Sequence, residues 1–131
     1  MEEIKFRAMG ELKTMFQVTE LNLEKGTWSG QWVKGRGAWA WNQLIKEHPL
    51  MQYTGLKDKN GREIYEGDIV TANYDVMTSR YKVVIEDGHM LLIHPAPPPL
   101  RFYLDLANRE LYEVIGNIWE NPELLEVKPR C

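Results

Sequence analysis

Residues 51–70 constrain the fold of this chain more than any other stretch, because they are dense in turn-forming side chains. Apolar and β-branched residues alternate there with short groups of Asp, Asn and Gly, a pattern typical of strands that reverse through tight turns. At the first turn, Asn60 and Gly61 can adopt the positive φ that such a reversal requires. A second turn is indicated at Gly67. The stretch therefore predicts strands at 51–56, 62–65 and 69–74.

Strand signals continue on both sides of this stretch. Residues 4–8 alternate apolar and basic side chains, with the period of two of a half-buried strand. Asp87 and Gly88 are a strong two-residue hairpin signal. Further strands are predicted at 15–18, 21–23, 81–86, 89–94, 101–106 and 111–119, and a short helical turn after Asn121. Short strands joined by tight turns predict an all-β fold, either a small barrel or a sandwich.

Two segments before residue 50 give different signals. Residues 25–37 contain four glycines and predict loops and turns. Residues 38–47 predict the one short helix of the chain, since Trp41, Leu44 and Ile45 have the i, i+3, i+4 spacing of a helix face.

Composition places the chain among globular proteins. It has 131 residues, of which 44% are hydrophobic and 27% charged, and its net charge is −3. A chain of this size can fold as one domain without a metal or disulfide. The single cysteine, Cys131, has no internal partner, and a terminal thiol favours a reducing compartment. Because the sequence shows neither an apolar leader nor a stretch long enough for a membrane span, it predicts a cytoplasmic protein without membrane contact.

The block LMQYTGLKDKNGREIYEGDIV, residues 50–70, resembles the signature of the YopX family. The opening IKFRA, residues 4–8, and the closing VIGNIWENPELL, residues 114–125, look like the first strand and the C-terminal segment of that family. The resemblance implies a bacteriophage or prophage protein that self-associates and has a small SH3-like β-barrel core. It implies no enzymatic activity. We therefore expect one YopX-like protein over residues 1–131, divided into an N-terminal β segment with a tryptophan-rich region, 1–49, and the barrel core, 50–131.

Sequence patterns for catalysis or metal binding are missing. The signature block contains several carboxylates, but its glycine comes at the fourth position of the loop and not at the sixth that a calcium loop needs. Turn chemistry explains the same residues, with Asp58 and Asn60 bonding to local backbone groups. His89 and His94 are five apart on a predicted strand and so point to opposite faces. The sequence predicts no catalytic residue, metal or cofactor, and an enzyme of unrecognised type is the last alternative.

The segment with positive functional chemistry is residues 25–46, which contain four tryptophans, four basic residues and no acidic one. Buried core, a protein interface and a single-stranded nucleic-acid surface would each use tryptophans, so three interpretations stay open. An interface would join a second copy or another protein, and the acidic net charge disfavours nucleic acid. The candidate contact residues are Trp28, Trp32, Lys34, Arg36, Trp39 and Trp41.

Overall fold

The structure is a computed structural model that describes residues 5–10, 14–33, 38–74, 77–95, 100–104 and 110–125. These residues include eleven β-strands and a short 3₁₀ helix at Pro122–Leu125. The strands are β1 Phe6–Met9, β2 Met15–Asn22, β3 Thr27–Trp32, β4 Trp39–Leu44, β5 Leu50–Lys57, β6 Glu63–Tyr65, β7 Asp68–Tyr74, β8 Met77–Glu86, β9 His89–His94, β10 Leu100–Tyr103 and β11 Tyr112–Asn117. The predicted all-β class and the helical turn after Asn121 are confirmed.

The strands are arranged in two sheets, and every pairing with a defined register is antiparallel. One sheet has the order β4-β3-β2-β1-β5-β6, and the other has the order β10-β9-β8-β7-β11. Strands β10 and β11 are the edges of the second sheet, and no pairing among the described residues joins them into a closed barrel.

The chain consists of two compact units, Met1–Tyr53 and Thr54–Cys131. In the first unit the buried side chains come from β1, β3 and β5 and include Met9, Trp28 and Met51. In the second unit the core is an apolar cluster from β6 to β11. Its members are Ile64, Val70, Ala72, Tyr81, Val83, Leu92, Leu104, Tyr112 and Val114.

The hairpin at Asp87 and Gly88 forms as predicted. Both residues adopt positive φ, 50° and 78°, and the strands on either side pair directly, with Glu86 opposite His89. Two positive φ values in succession give the turn the twist that matches the flanking strands.

The signature turn, residues 58–62, is held by one buried carboxylate. The Oδ1 atom of Asp58 accepts the backbone N–H groups of Asn60 and Arg62, each at 2.9 Å. Its Oδ2 atom accepts the N–H of Val114 on β11, also at 2.9 Å. The predicted local bonding of Asp58 is confirmed, and Gly61 has a φ of 80°. The corresponding prediction for Asn60 is wrong, because its side-chain amide donates to Glu113 of β11 at 3.2 Å and not to local backbone.

The prediction of loops around Trp28 and Trp32 is wrong, because both lie on strand β3. Gly30 lies within this strand and is required for close strand packing, not for a turn. A Cβ atom on Gly30 would lie 2.3 Å from the backbone oxygen of Gln17 on β2, so only glycine fits the close approach of the two strands.

The predicted helix at 38–47 is also wrong, because strand β4 occupies most of it. A β-bulge explains the misleading spacing. Ala40 pairs with Gly30 and Gln43 with Trp28, so β4 contains one more residue than β3 over this interval. Asn42, with a φ of 49°, lies within this interval and donates its N–H to the hydroxyl of Ser29 at 2.9 Å. Because of the extra residue, side chains on the same face of β4 are three residues apart across the bulge and not two. A spacing of three residues resembles the repeat of a helix.

Candidate interaction surface

The structure separates the tryptophans of the candidate set into two environments. Trp28 is 1% exposed, and its Nε1–H donates to the backbone oxygen of His48 at 2.9 Å. Its ring also lies 5.7 Å from that of Phe16. A ring in this position stabilises the first unit and has no surface to offer a partner. Trp32, at the end of β3, is partly buried.

Trp39 and Trp41, the tryptophan pair, lie on β4 and are exposed. Their exposed fractions are 44% and 63%. The rings are stacked, with centroids 5.5 Å apart and planes 18° from parallel. Residues two apart on a strand project to the same side, which brings the two indoles together. Because β4 is an edge strand of its sheet, the pair lies at the margin of the first unit.

A surface hollow of about 380 Å³ adjoins the tryptophan pair. The described residues that form its wall are uncharged: three are aromatic, one bears a hydroxyl and one a primary amide. Besides the pair, these are Gly10, Thr14, Phe16, Ala40 and Gln43. The sequence analysis did not identify Thr14, Phe16 and Gln43 as lining residues. It predicted a helix at 38–47, and a helix does not show which residues of a strand lie beside the tryptophan pair. The alternation of Trp39, Ala40 and Trp41 was the signal that could have found the strand.

Basic residues of the candidate segment lie at the far end of β4. Lys25 and Lys46 line a second hollow of about 450 Å³ with Gly26, Leu44 and Ile45. Exposed Glu24 and Glu47 immediately adjoin the two lysines in the chain, so this end of the strand has no excess of positive charge. Lys34 and Arg36 lie outside the described residues, as does Cys131.

A metal site and the two histidines of the predicted strand at 89–94 are the remaining points of the sequence analysis. No group of three His, Cys, Asp or Glu residues there is placed to hold a metal ion. The His89 ring contacts Tyr103, and the His94 ring contacts Tyr81, so each histidine has a different aromatic neighbour. No helix found among the described residues has the length and apolar character needed to cross a bilayer.

Comparison with known proteins identifies the lineage of the chain. The family model described as YopX protein matches residues 5–126. The chain belongs to the YopX family. Because the match includes β1 to β11 and the 3₁₀ helix, the family pattern extends well beyond the signature block at 50–70.

Two solved structures share the fold of this YopX family member. Protein EF1440 from Enterococcus faecalis is 32% identical, with a TM-score of 0.67, and the match covers 96% of this chain and all of that one. Protein yopX from Bacillus subtilis is 21% identical, with a TM-score of 0.62, and the match covers 98% of this chain and all of that one. Neither protein is described by an activity, and no curated protein matches the chain.

Proposed function

We propose that this chain is an accessory protein of a bacteriophage or prophage that acts by binding and catalyses no reaction. The observation that carries the proposal is the exposed, stacked tryptophan pair on the edge strand β4. The surface contacted is that of a protein, either a second copy of this chain or another polypeptide. Membership of the YopX family supports the phage origin, and the host cytoplasm is the compartment in which Cys131 stays reduced.

The tryptophan pair has the properties of an interface anchor. Tryptophan is enriched among the few residues that dominate binding energy, since one side chain buries a large apolar area on contact. Two indoles of this chain remain 44% and 63% exposed, although Trp28 shows that the same side chain can be buried in the same unit. Their mutual stacking orders the rings before contact, which reduces the entropy lost on binding.

The electrostatics favour protein over nucleic acid as the partner. Single strands are held by aromatic faces together with cations that follow the phosphates. Here the aromatic faces adjoin uncharged groups, while the described lysines at the end of β4 are each adjoined by a glutamate. The net charge of −3 adds a repulsive background for phosphates. Among the candidate contact residues, the cations that a nucleic-acid function would use are Lys34 and Arg36.

The proposal includes the finer fold that the resemblance implies, an SH3-like core for residues 50–131. Among the described residues, those that line the hollow beside the tryptophan pair include no ionisable group that could transfer a proton.

Sedimentation of the full-length protein over a wide concentration range tests self-association. Cross-linking through a photoreactive amino acid at position 43, on the wall of the hollow beside the tryptophan pair, tests contact with another polypeptide. We expect Trp39→Ala and Trp41→Ala to weaken the association at least tenfold, because each removes an anchor of the contact. Leu23→Ala is the matched control, since Leu23 is an apolar residue on a turn of the same unit and is even more exposed than the two tryptophans, at 80%. Equal effects of all three variants would contradict the proposal.

Fluorescence titration with a single-stranded oligonucleotide tests the alternative. Quenching of tryptophan emission that weakens as salt is added would assign the surface to nucleic acid, because phosphate contacts release counterions. We expect no salt-sensitive quenching.

A further inference from the structure

The outer edge of β10 has backbone groups that no described residue covers. Leu104 donates its N–H to the oxygen of Met90 at 2.9 Å, which fixes the phase of the β9–β10 ladder. Antiparallel neighbours alternate between hydrogen-bonded and non-hydrogen-bonded pairs, so Phe102 and Leu100 also bond toward β9. Arg101 and Tyr103 consequently direct their N–H and C=O groups away from the sheet.

The edge formed by β11 is closed, in contrast to that of β10. Lys59 of the signature turn donates its N–H to the oxygen of Tyr112 at 3.0 Å. The carboxylate of Asp58 accepts the N–H of Val114 at 2.9 Å. The turn therefore occupies outward backbone groups at Tyr112 and Val114, which hinders the addition of another strand there.

The two edges of the other sheet are also poor templates. Strand β4 contains the bulge at Asn42, and the amide of Gln43 donates to the oxygen of Trp41 at 3.0 Å. A bulge twists an edge away from straight pairing. Strand β6, Glu63–Tyr65, has three residues only. Among the four sheet edges, as far as the described residues show, β10 alone combines a regular register with open backbone groups.

We propose that β10 pairs with β10 of a second copy, antiparallel about a two-fold axis through Phe102. In this register Arg101 lies opposite Tyr103 of the second copy, and the reverse pair is identical by symmetry. Both residues direct their backbone groups outward, so the two pairs together form four hydrogen bonds across the axis. Phe102 meets its own symmetry mate as a non-hydrogen-bonded pair, in which side chains approach closely.

The side chains select the second copy as the occupant and fix the register. A shift that centres the axis on Arg101 would place two guanidinium groups directly opposite each other, which is destabilising. The register centred on Phe102 instead sets each guanidinium over the ring of a tyrosine that is 67% exposed in the single chain. Arg101 keeps its ion pair with Glu86, with Nη1 and Oε2 separated by 2.6 Å. The edge is therefore complementary to itself.

The inference goes beyond the proposed function, because it concerns a strand of the second unit and is independent of the tryptophan pair. If the tryptophan pair binds another polypeptide, each β10-linked dimer presents two copies of that surface. Loss of one contact can be distinguished from loss of the other by separate substitutions.

Disulfide trapping in a Cys131→Ser background tests the register directly. Non-hydrogen-bonded cross-strand partners have Cα atoms about 4.5 Å apart, within the range that a disulfide spans. Phe102→Cys should therefore form covalent dimers under mild oxidation. Leu100→Cys is the matched control, since in this register two copies of residue 100 are separated by four residues, about 14 Å, which is too far. Equal cross-linking of both variants, or linkage of the control alone, would overturn the proposal.

Amide hydrogen exchange of the unmodified protein provides a second test that no folding defect can obscure. The N–H groups of Arg101 and Tyr103 should exchange slowly at high protein concentration and quickly after dilution, because their acceptors come from the second copy. Fast exchange at every concentration would overturn the pairing.

A charge substitution separates this contact from the tryptophan surface. Tyr103→Lys places an ammonium opposite Arg101 of the second copy, and we expect the dimer to dissociate at least tenfold more readily. Trp39→Ala should leave the β10 dimer intact. A dimer that survives Tyr103→Lys and is abolished by Trp39→Ala would refute the β10 pairing while supporting the tryptophan surface.

Discussion

The signature turn and strand β4 use their prominent side chains for opposite purposes. Asp58 is 5% exposed and bonds to three backbone N–H groups, so its chemistry is used within the fold. Trp41 is 63% exposed and its ring contacts Trp39, so its apolar surface is available to solvent. The contrast shows that the family signature identifies a folding element, whereas the candidate function lies in a segment outside that signature.

The largest effect should come from the signature turn. Asp58→Ala removes the acceptors of three backbone N–H groups, one of them on β11, and we expect the free energy of unfolding to fall by about 4 kcal/mol. Asp58→Asn keeps the size and one acceptor oxygen but turns a donor toward Val114, so its loss should be about half as large. Urea unfolding measures both. Equal stability of Asp58→Ala and the unmodified protein would remove the distinction between the two regions.

Gly30 on β3 and Gly61 in the signature turn are required for different reasons, the first for lack of space and the second for its positive φ. Gly30→Ala forces β2 and β3 apart, since its Cβ would lie 2.3 Å from a backbone oxygen, and should cost about 3 kcal/mol. Gly61→Ala meets no atom within 4 Å and only imposes a side chain at a φ of 80°, which should cost about 1 kcal/mol. Thermal unfolding compares them, and the reverse order would contradict the close approach of β2 and β3.

Trp28→Phe measures the structural role of a buried tryptophan in the same segment. The change removes the hydrogen bond to His48 and leaves unfilled volume, so we expect a loss of about 2 kcal/mol with no effect on association. Denaturant unfolding and sedimentation of the same sample provide the two readings. A variant of unchanged stability that associates less would move Trp28 from the core to the interface.

The smallest stability effect should come from the exposed pair. Trp41→Ala removes a stacked surface ring, and we expect the free energy of unfolding to change by less than about 1 kcal/mol. Association should nevertheless weaken. If the variant instead unfolds as easily as Trp28→Phe, the pair belongs to the structural core and the proposed surface is wrong.

The parts of the fold that the sequence predicted are those in which local geometry decides. Asp87 and Gly88 require positive φ at successive positions, and few residues other than these adopt it readily, so the hairpin was evident from two letters. The bonding of Asp58 was also predictable from local geometry, because an aspartate side chain reaches backbone N–H groups a few residues ahead.

The errors arose where partners distant in sequence decide. Gly30 resembled a loop residue, but the neighbouring strand β2 requires its lack of a side chain. Asn42 inserted an extra residue into β4, and the resulting spacing indicated a helix until the pairing with β3 was known. The exposure of Trp39 and Trp41 and the burial of Trp28 both depend on the order of strands in the sheet, which composition does not encode.

The stacking of Trp39 and Trp41 gives this surface an optical signature of its own. Two indole transition dipoles 5.5 Å apart couple electronically, so the pair should contribute a paired positive and negative band to the circular dichroism spectrum. Removing either ring abolishes the coupling, whereas a partner that parts or twists the rings alters its sign or strength. The chain thus contains an intrinsic reporter at the position where contact is proposed, and occupancy can be followed without a label.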